Sequence, residues 1–394
     1  MTIGIASPFN PNYFKDYIGD TGLPDINENA TAVHTLVREF LQMGHMVIIY
    51  TSFPSSKFKN DVTFTSDLLM IHVLSRKFFV PKMGAFVRLY MGNRIAQAVE
   101  RDIDKLDVLH AQWTYDYAYA VSKYQDRIPT FCTVRDWAPL ISSMKMGIVD
   151  KIYWKCSLYV FRKVMKKKMH FIANSHYTEN LIRTHYPQIN PSVIFNPIKK
   201  EDIIIHRNIY SPTPIFISIS QGIDERKNYT KLIEAFQLYR KKFPQGELWL
   251  VGGAFVESNT VVCVWRQKRL LENVKLFGRK NHSEVLSLLD QASVYVHPSL
   301  EETFGNTLIE AMARRVSVIG GEKSGAVPSV LGKGKYGLLC NVRDAHDICQ
   351  KMAFFSNPRK REEFIERSTS YLQNTYSSDS IARQHISLYS LYLK

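Results

Sequence analysis

Glu302 and Glu310 stand eight positions apart, and the turn after Glu302 carries Thr303, Phe304, Gly305 and Asn306. Thr307 to Arg314 follows with good helix formers. A helix that starts after this turn presents unpaired backbone N–H groups and a partial positive charge at its first turn. Such an end binds a phosphate or diphosphate. Glu302 sits just before the helix and Glu310 inside it, so the pair can accept hydrogen bonds from hydroxyl groups on either side of a bound phosphate. Sugar hydroxyls fit that chemistry. The plain alternative is a capping carboxylate and a solvated helix residue, because two acids at this spacing are common.

The flanking residues supply the elements that would hold this turn. Ser293 to His297 is a β-branched and aromatic run, as a short buried strand would be, and Pro298 and Ser299 end it. Three words then follow: HPSLEETFGNTLIEAMA, VSVIGGEKSGAVPSV and GKYGLLCNV. Within the first, ETFGNTLIE resembles the donor-site motif of the family-4 glycosyltransferases, the glycosyl transferases of group 1. The resemblance covers nearly the whole chain, most strongly from Ile215 to Val342.

This resemblance implies an α/β protein of the GT-B fold, with two Rossmann-like doubly wound domains facing a central cleft. It implies a retaining enzyme that uses a nucleotide-diphosphate sugar, UDP- or GDP-linked, with no cofactor and no metal. The acceptor would be a glycan or a lipid-linked sugar in cell-surface polysaccharide synthesis. Carried over residue by residue, Glu302 would hold the transferred sugar and Glu310 the ribose. Thr303, Phe304, Gly305, Asn306 and Thr307 would line the donor. Lys227 fits the family's diphosphate lysine, and Gln221 stands at the position of its arginine partner; the adjacent Arg226 either replaces that charge or points to solvent. Gly278 and Arg279 fall where similar enzymes let the backbone meet the nucleotide base. The family's N-terminal Gly-Gly positions fall near Asn27 and Glu28. A carboxylate there suits the acceptor side better than a diphosphate.

Strand and helix patterns alternate along both halves, as doubly wound folds require. Thr2 to Ser7 reads as a buried strand, Ala30 to Met43 as a helix with apolar residues at Val33, Leu36, Val37, Phe40 and Leu41, and HMVIIYT as the next strand. The expected division is 1–198 for an acceptor-side domain, 199–213 for a linker, 214–375 for the nucleotide-sugar domain and 376–394 for a helix that returns to the first domain. In open α/β sheets ligands lie beyond the carboxyl ends of strands. Two such ends, DVLHAQW and TFCTVRDW, place His110 and Arg135 as candidate catalytic residues of the first domain. His110 keeps the first histidine of the family's H-x-H turn, with Gln112 at the second. A core histidine bonded to a neighbour is the other reading. Arg135 stands where the family has histidine. It cannot act as a base, but it can hold a phosphate or carboxylate in a fork, or form an ion pair with Asp136.

The chain of 394 residues, 45% of them hydrophobic, is long enough for two domains. Its five cysteines stand apart without a C-x-x-C pair, which indicates neither a zinc site nor a disulfide framework and fits a reducing cytoplasm. No signal peptide and no spanning apolar run is legible. The D-x-D string Asp102-Ile103-Asp104 reads as a solvated charge run rather than a metal site. A net charge of +15 admits nucleic acid, anionic lipid or a phosphorylated substrate. No helix-turn-helix, zinc finger or RNP-like strand supports nucleic acid. From Lys151 to Lys168, Lys151, Lys155, Arg162 and Lys166 share one helix face, widened by Lys163 and Lys167, with Ile152 out of place within it. That stripe is either an ordinary solvated face or a peripheral dock on the inner face of an anionic membrane. The rival functions are a GT-B epimerase or phosphorylase and an inactive sugar-nucleotide-binding relative.

Overall fold

The computed structural model describes residues 1–23, 30–54, 59–76, 84–144, 147–204 and 213–393. Asn27 and Glu28, and part of the 199–213 stretch, lie outside the described residues. The chain divides into two compact units, Met1–Pro197 with Ser378–Lys394, and Ile198–Ser377.

Among its described residues the first unit holds an eight-stranded sheet. The strands are β1 (Thr2–Ala6), β2 (Met46–Pro54), β3 (Val62–Thr65), β4 (Leu69–Arg76), β5 (Val108–Gln112), β6 (Thr130–Val134), β7 (His170–Ala173) and β8 (Ser192–Val193). Their order is β3-β4-β2-β1-β5-β6-β7-β8, and pairing is parallel except between β3 and β4. Successive strand residues point to opposite faces. Val47 and Ile49 therefore enter one core, and Ile48 and Tyr50 the other. The helix Thr31–Gln42 covers the first of these faces with Val33, Leu36, Val37, Phe40 and Leu41, the five residues of the apolar period. Ile381, Ala382 and Tyr389 of the helix Ser378–Ser390 bury in the same core. The helices Gly84–Glu100, Asp116–Val121 and Ile148–Val164 contribute to the opposite core.

Among its described residues the second unit holds a six-stranded parallel sheet of β9 (Ile215–Ile219), β10 (Glu247–Val251), β11 (Val274–Leu276), β12 (Val294–His297), β13 (Ser317–Gly321) and β14 (Leu338–Cys340). The order is β11-β10-β9-β12-β13-β14. β9 and β12 are neighbours, with Val294 beside Phe216 and Tyr295 beside Ile217. Because they run parallel, the loops that follow them leave the same edge of the sheet. This order brings residues 220–228 to residues 298–305. Val294 and Val296 face the apolar core, so Tyr295 and His297 point the other way.

Candidate active site

The two loops at this edge are tied together. Leu300 N–H donates to Arg226 O at 2.8 Å, and the Asn228 amide donates to Pro298 O at 3.1 Å and Val342 O at 2.7 Å. Glu302 is held in turn by its own carbonyl, which accepts from Ala326 N–H at 2.8 Å. A Cβ on Gly325 would lie 2.2 Å from that carbonyl oxygen, so only glycine permits the approach. Gly305 adopts φ of +90° at the N-cap of the helix Asn306–Ala313, where a side chain would be strained. The carboxylate-rich turn thus ends at a glycine, and the first turn of the helix follows directly.

Lys227 Nζ reaches Glu302 Oε1 at 2.5 Å, and Arg226 lies 3.6 Å from the same oxygen. The Glu302 side chain keeps only 13% of its surface. Burial pushes its carboxyl up, but Lys227, His297 and Arg226 outweigh burial and hold it well below the usual carboxylate range. Glu310 is buried in the helix, and its carboxyl is shifted the other way, raised by burial and by Asp202 against the pull of His282. The two acids therefore sit in opposite electrostatic settings at the start and in the middle of the same short segment.

Of the other expected donor residues, Gln221 and Arg279 are exposed, and the Gly278 carbonyl accepts from Gly252 N–H at 2.8 Å. Phe304 is buried against Tyr376, with ring centroids 5.7 Å apart. Thr307 Oγ1 accepts from Tyr295 O–H at 2.6 Å. The neighbouring His297 was not singled out by the sequence pattern. It ends β12, bonds Tyr295 through Nδ1 at 2.9 Å, and places Nε2 3.4 Å from Glu302 Oε1. A histidine two residues beyond a strand tyrosine, just before a carboxylate turn, was the available signal.

In the first unit, β5 continues through Gln112, so His110 lies within the sheet rather than in a turn. The pleat turns it to the side of Val108, into the core that receives the C-terminal helix. It has no exposed surface, and its Nδ1 pairs with Tyr389 Oη at 2.7 Å and its Nε2 with Thr133 Oγ1 at 2.8 Å. Burial, with His385 and Arg135 nearby, drives its pKa well below that of a free histidine. Arg135 donates from Nε to Gln112 Oε1 at 2.8 Å and from one terminal nitrogen to Asn196 Oδ1 at 2.6 Å, and it stands 5.4 Å from the centre of the Trp113 ring. Trp113 itself leaves β5 at φ of +68°, a costly conformation for a bulky residue.

Two expectations change. Asp102 is not solvated: it is 4% exposed, pairs with His72 Nε2 at 2.9 Å and Lys105 Nζ at 2.8 Å, and accepts from Tyr50 O–H. Burial alone would have expelled an unpaired carboxylate, and β4 and β2 supply its partners. The basic helix ends at Val164, so Lys166 and Lys167 lie beyond it. On its outer face Ile152 is 50% exposed and Tyr159 49%, seven residues apart among Lys155, Arg162 and Lys163. Among the described residues no helix is long and apolar enough to cross a membrane, and no three His, Cys, Asp or Glu side chains group as metal ligands.

Two units, each built on a sheet that is parallel but for the β3–β4 pair of the first, have the build of a glycosyltransferase of the GT-B fold. Residues 30–202 match the model of Glycosyltransferase Family 4, and residues 199–371 that of Glycosyl transferases group 1. The chain belongs to this glycosyltransferase family. The capsular polysaccharide biosynthesis glycosyltransferase CapM of Staphylococcus aureus is 27% identical over 169 residues, which are 43% of this chain and 44% of CapM. The aligned stretch is thus under half of that relative's length. Sucrose-phosphate synthase from Thermosynechococcus elongatus superimposes with a TM-score of 0.78 at 17% identity, over 99% of this chain and 98% of that one. Anabaena HepE, in complex with UDP and glucose, gives 0.69 at 14% identity over 99% of both chains.

Proposed function

We propose that the chain moves a sugar, with retention of configuration, from a UDP- or GDP-linked donor to a glycan or lipid-linked acceptor in cell-surface polysaccharide synthesis. The observation that carries this reading is the Lys227–Glu302 pair at the head of the helix Asn306–Ala313, with Glu310 buried inside that helix. Lys227 and Glu302 neutralise one another across the two loops. On binding, Lys227 turns to the diphosphate, Glu302 to the sugar hydroxyls and Glu310 to the ribose. Thr303, Phe304, Gly305, Asn306 and Thr307 shape the donor pocket, with Gln221, Gly278 and Arg279 at the nucleotide.

Glycosyl transfer passes through an oxocarbenium-like state while charge grows on the departing diphosphate. The Lys227 ammonium and the N–H groups at the head of the helix stabilise that charge. The leaving phosphate takes the acceptor proton, and no protein nucleophile is assigned. The UDP named with HepE favours a uridine donor, and the name of CapM favours a polysaccharide product.

In the first unit, the geometry of Arg135 and the strained Trp113 favours an acceptor side made of a guanidinium and an aromatic face. His110 then acts by fixing β5 and β6 rather than by touching substrate. The helix Ile148–Val164, with Ile152 and Tyr159 exposed among cations, favours reversible docking on an anionic leaflet on the cytoplasmic side, which would present a lipid-linked acceptor.

The test is incubation with a panel of UDP- and GDP-sugars, with and without oligosaccharide acceptors, followed by release of the nucleoside diphosphate. Transfer yields the diphosphate and a glycoside of the donor's own anomeric configuration. An epimer of the donor formed without acceptor would point to the epimerase instead, and no turnover to an inactive relative.

A further inference from the structure

Once Lys227 turns to a diphosphate, Glu302 loses its close cation. Arg226 stays 3.6 Å away and also donates to the carbonyl of Glu301. His297 Nε2 stands nearer, 3.4 Å from the same carboxylate oxygen. His297 is 4% exposed, and among the described residues Nε2 makes no hydrogen bond. An orphaned buried nitrogen costs stability, and a native protein retains one where it has a use.

We propose that His297 is a positioning residue for Glu302: its Nε2–H takes over the carboxylate when Lys227 leaves it for the donor diphosphate, so that Glu302 keeps its aim at the sugar. The proposal rests on the donor-site reading above and adds the exchange of partners to it.

The other end of the ring is already fixed. Tyr295 O–H donates to Thr307 Oγ1 at 2.6 Å, so the Tyr295 oxygen accepts from His297 Nδ1–H at 2.9 Å. This chain connects Glu302 to the first turn of the helix Asn306–Ala313 through His297, Tyr295 and Thr307. With a proton already on Nδ1, a second on Nε2 makes the ring an imidazolium, and that proton comes from solvent. The charged or titratable groups around it are Glu302, Lys227 and Arg226 on the facing loops and Tyr295 on its own strand. Burial disfavours the charged ring, Lys227 and Arg226 add to this, and Glu302 alone favours it. Removal of Lys227 from the carboxylate therefore acts twice in the same direction. It withdraws a repelling cation from His297 and leaves Glu302 in need of a donor.

The exchange can be provoked without any ligand, by Lys227→Ala. Histidine-selective NMR of the full chain follows the ring, its signal among the twelve histidines assigned by its loss in His297→Gln. Lys227→Ala is expected to raise the His297 titration midpoint by about one unit or more, as a freed carboxylate within contact distance does. In the Glu302→Gln background the same substitution should give less than half that shift, since only a bare repulsion is removed. Equal shifts in the two backgrounds, or a His297 that remains neutral in Lys227→Ala down to about pH 5, would overturn the proposal. Sugar transfer by Glu302→Gln separates the two levels. Coupled titration with unimpaired transfer keeps the hold of His297 on Glu302 and removes the donor-site reading. Uncoupled titration with impaired transfer removes this inference alone.

Discussion

Lys227 and Glu302, seventy-five residues apart in sequence, share a hydrogen bond of 2.5 Å in the second unit. In the proposed donor site each stands in for a ligand group: the carboxylate for a phosphate, the ammonium for a polarised hydroxyl. The pair keeps both side chains in place at a helix head without leaving either charge unpaired, which would be expensive for groups this buried.

Lys227→Ala should weaken binding of a nucleoside diphosphate. A charge-assisted hydrogen bond is worth about 1.5–3 kcal/mol, so the loss should be about ten- to a hundredfold. Isothermal titration with UDP and GDP checks it. Affinity equal to wild type would take Lys227 off the diphosphate.

Glu310→Gln should weaken nucleotide binding and stabilise the free protein. The folded carboxyl has a raised pKa, so it resists ionisation more than it does in the unfolded chain. Stability from such a group is present at low pH and lost as pH rises through the folded value. Glutamine escapes that loss. The melting temperature of Glu310→Gln should exceed wild type by more at pH 8 than at pH 5. A lower melting temperature at pH 8 would mean that the acid is held by partners it cannot spare.

The C-terminal helix should loosen in acid. His385 is buried with its pKa pushed down to about 4, and His110 is lowered too, both chiefly by burial. Unfolded histidine titrates near pH ~6.5, so the stabilisation is complete above that pH and is lost as pH falls toward about 4. His385→Phe should flatten the fall in melting temperature across this window. Tyr389→Phe, which strips His110 Nδ1 of the Tyr389 hydroxyl, should cost about 1–3 kcal/mol at neutral pH. A wild-type melting curve unchanged from pH 6.5 to 4 would contradict the account.

Much of the first unit was readable from its sequence because burial there follows a simple period. Val33, Leu36, Val37, Phe40 and Leu41 all enter the core. The strand–turn–helix around Glu302 was legible because β12 is a β-branched and aromatic run, buried throughout, and Gly305 marks the cap. Partners across long separations were not legible. His110 depends on Tyr389, 279 residues away, and Asp102, which follows a helix, on His72 of β4. Those pairings are fixed by sheet order and by the return of the last helix, which no local pattern states. His297 escaped notice for a different reason. Its partners are close in sequence, but an end-of-strand histidine reads as one more residue of an aromatic run.

Docking on a membrane should depend on charge. Co-sedimentation with anionic vesicles should be strong at low salt, weak at high salt and absent with neutral vesicles, given the short range of screened surface charges. The double substitution Lys155→Glu with Arg162→Glu should abolish it. Equal, negligible binding to both vesicle types would leave a soluble acceptor as the default.

The most direct test of the donor site is the rate at which nucleoside diphosphate is released from the sugar nucleotide that the panel identifies. The acceptor is the oligosaccharide that the same panel identifies. Wild type should turn over, Glu302→Gln should lose at least about tenfold in kcat/KM, in line with about 1.5 kcal/mol or more for a charge-assisted contact to the sugar, and its affinity for the free nucleoside diphosphate should stay near wild type. A Glu302→Gln enzyme with wild-type kcat/KM and intact stability would contradict the assignment of this carboxylate, and with it the site.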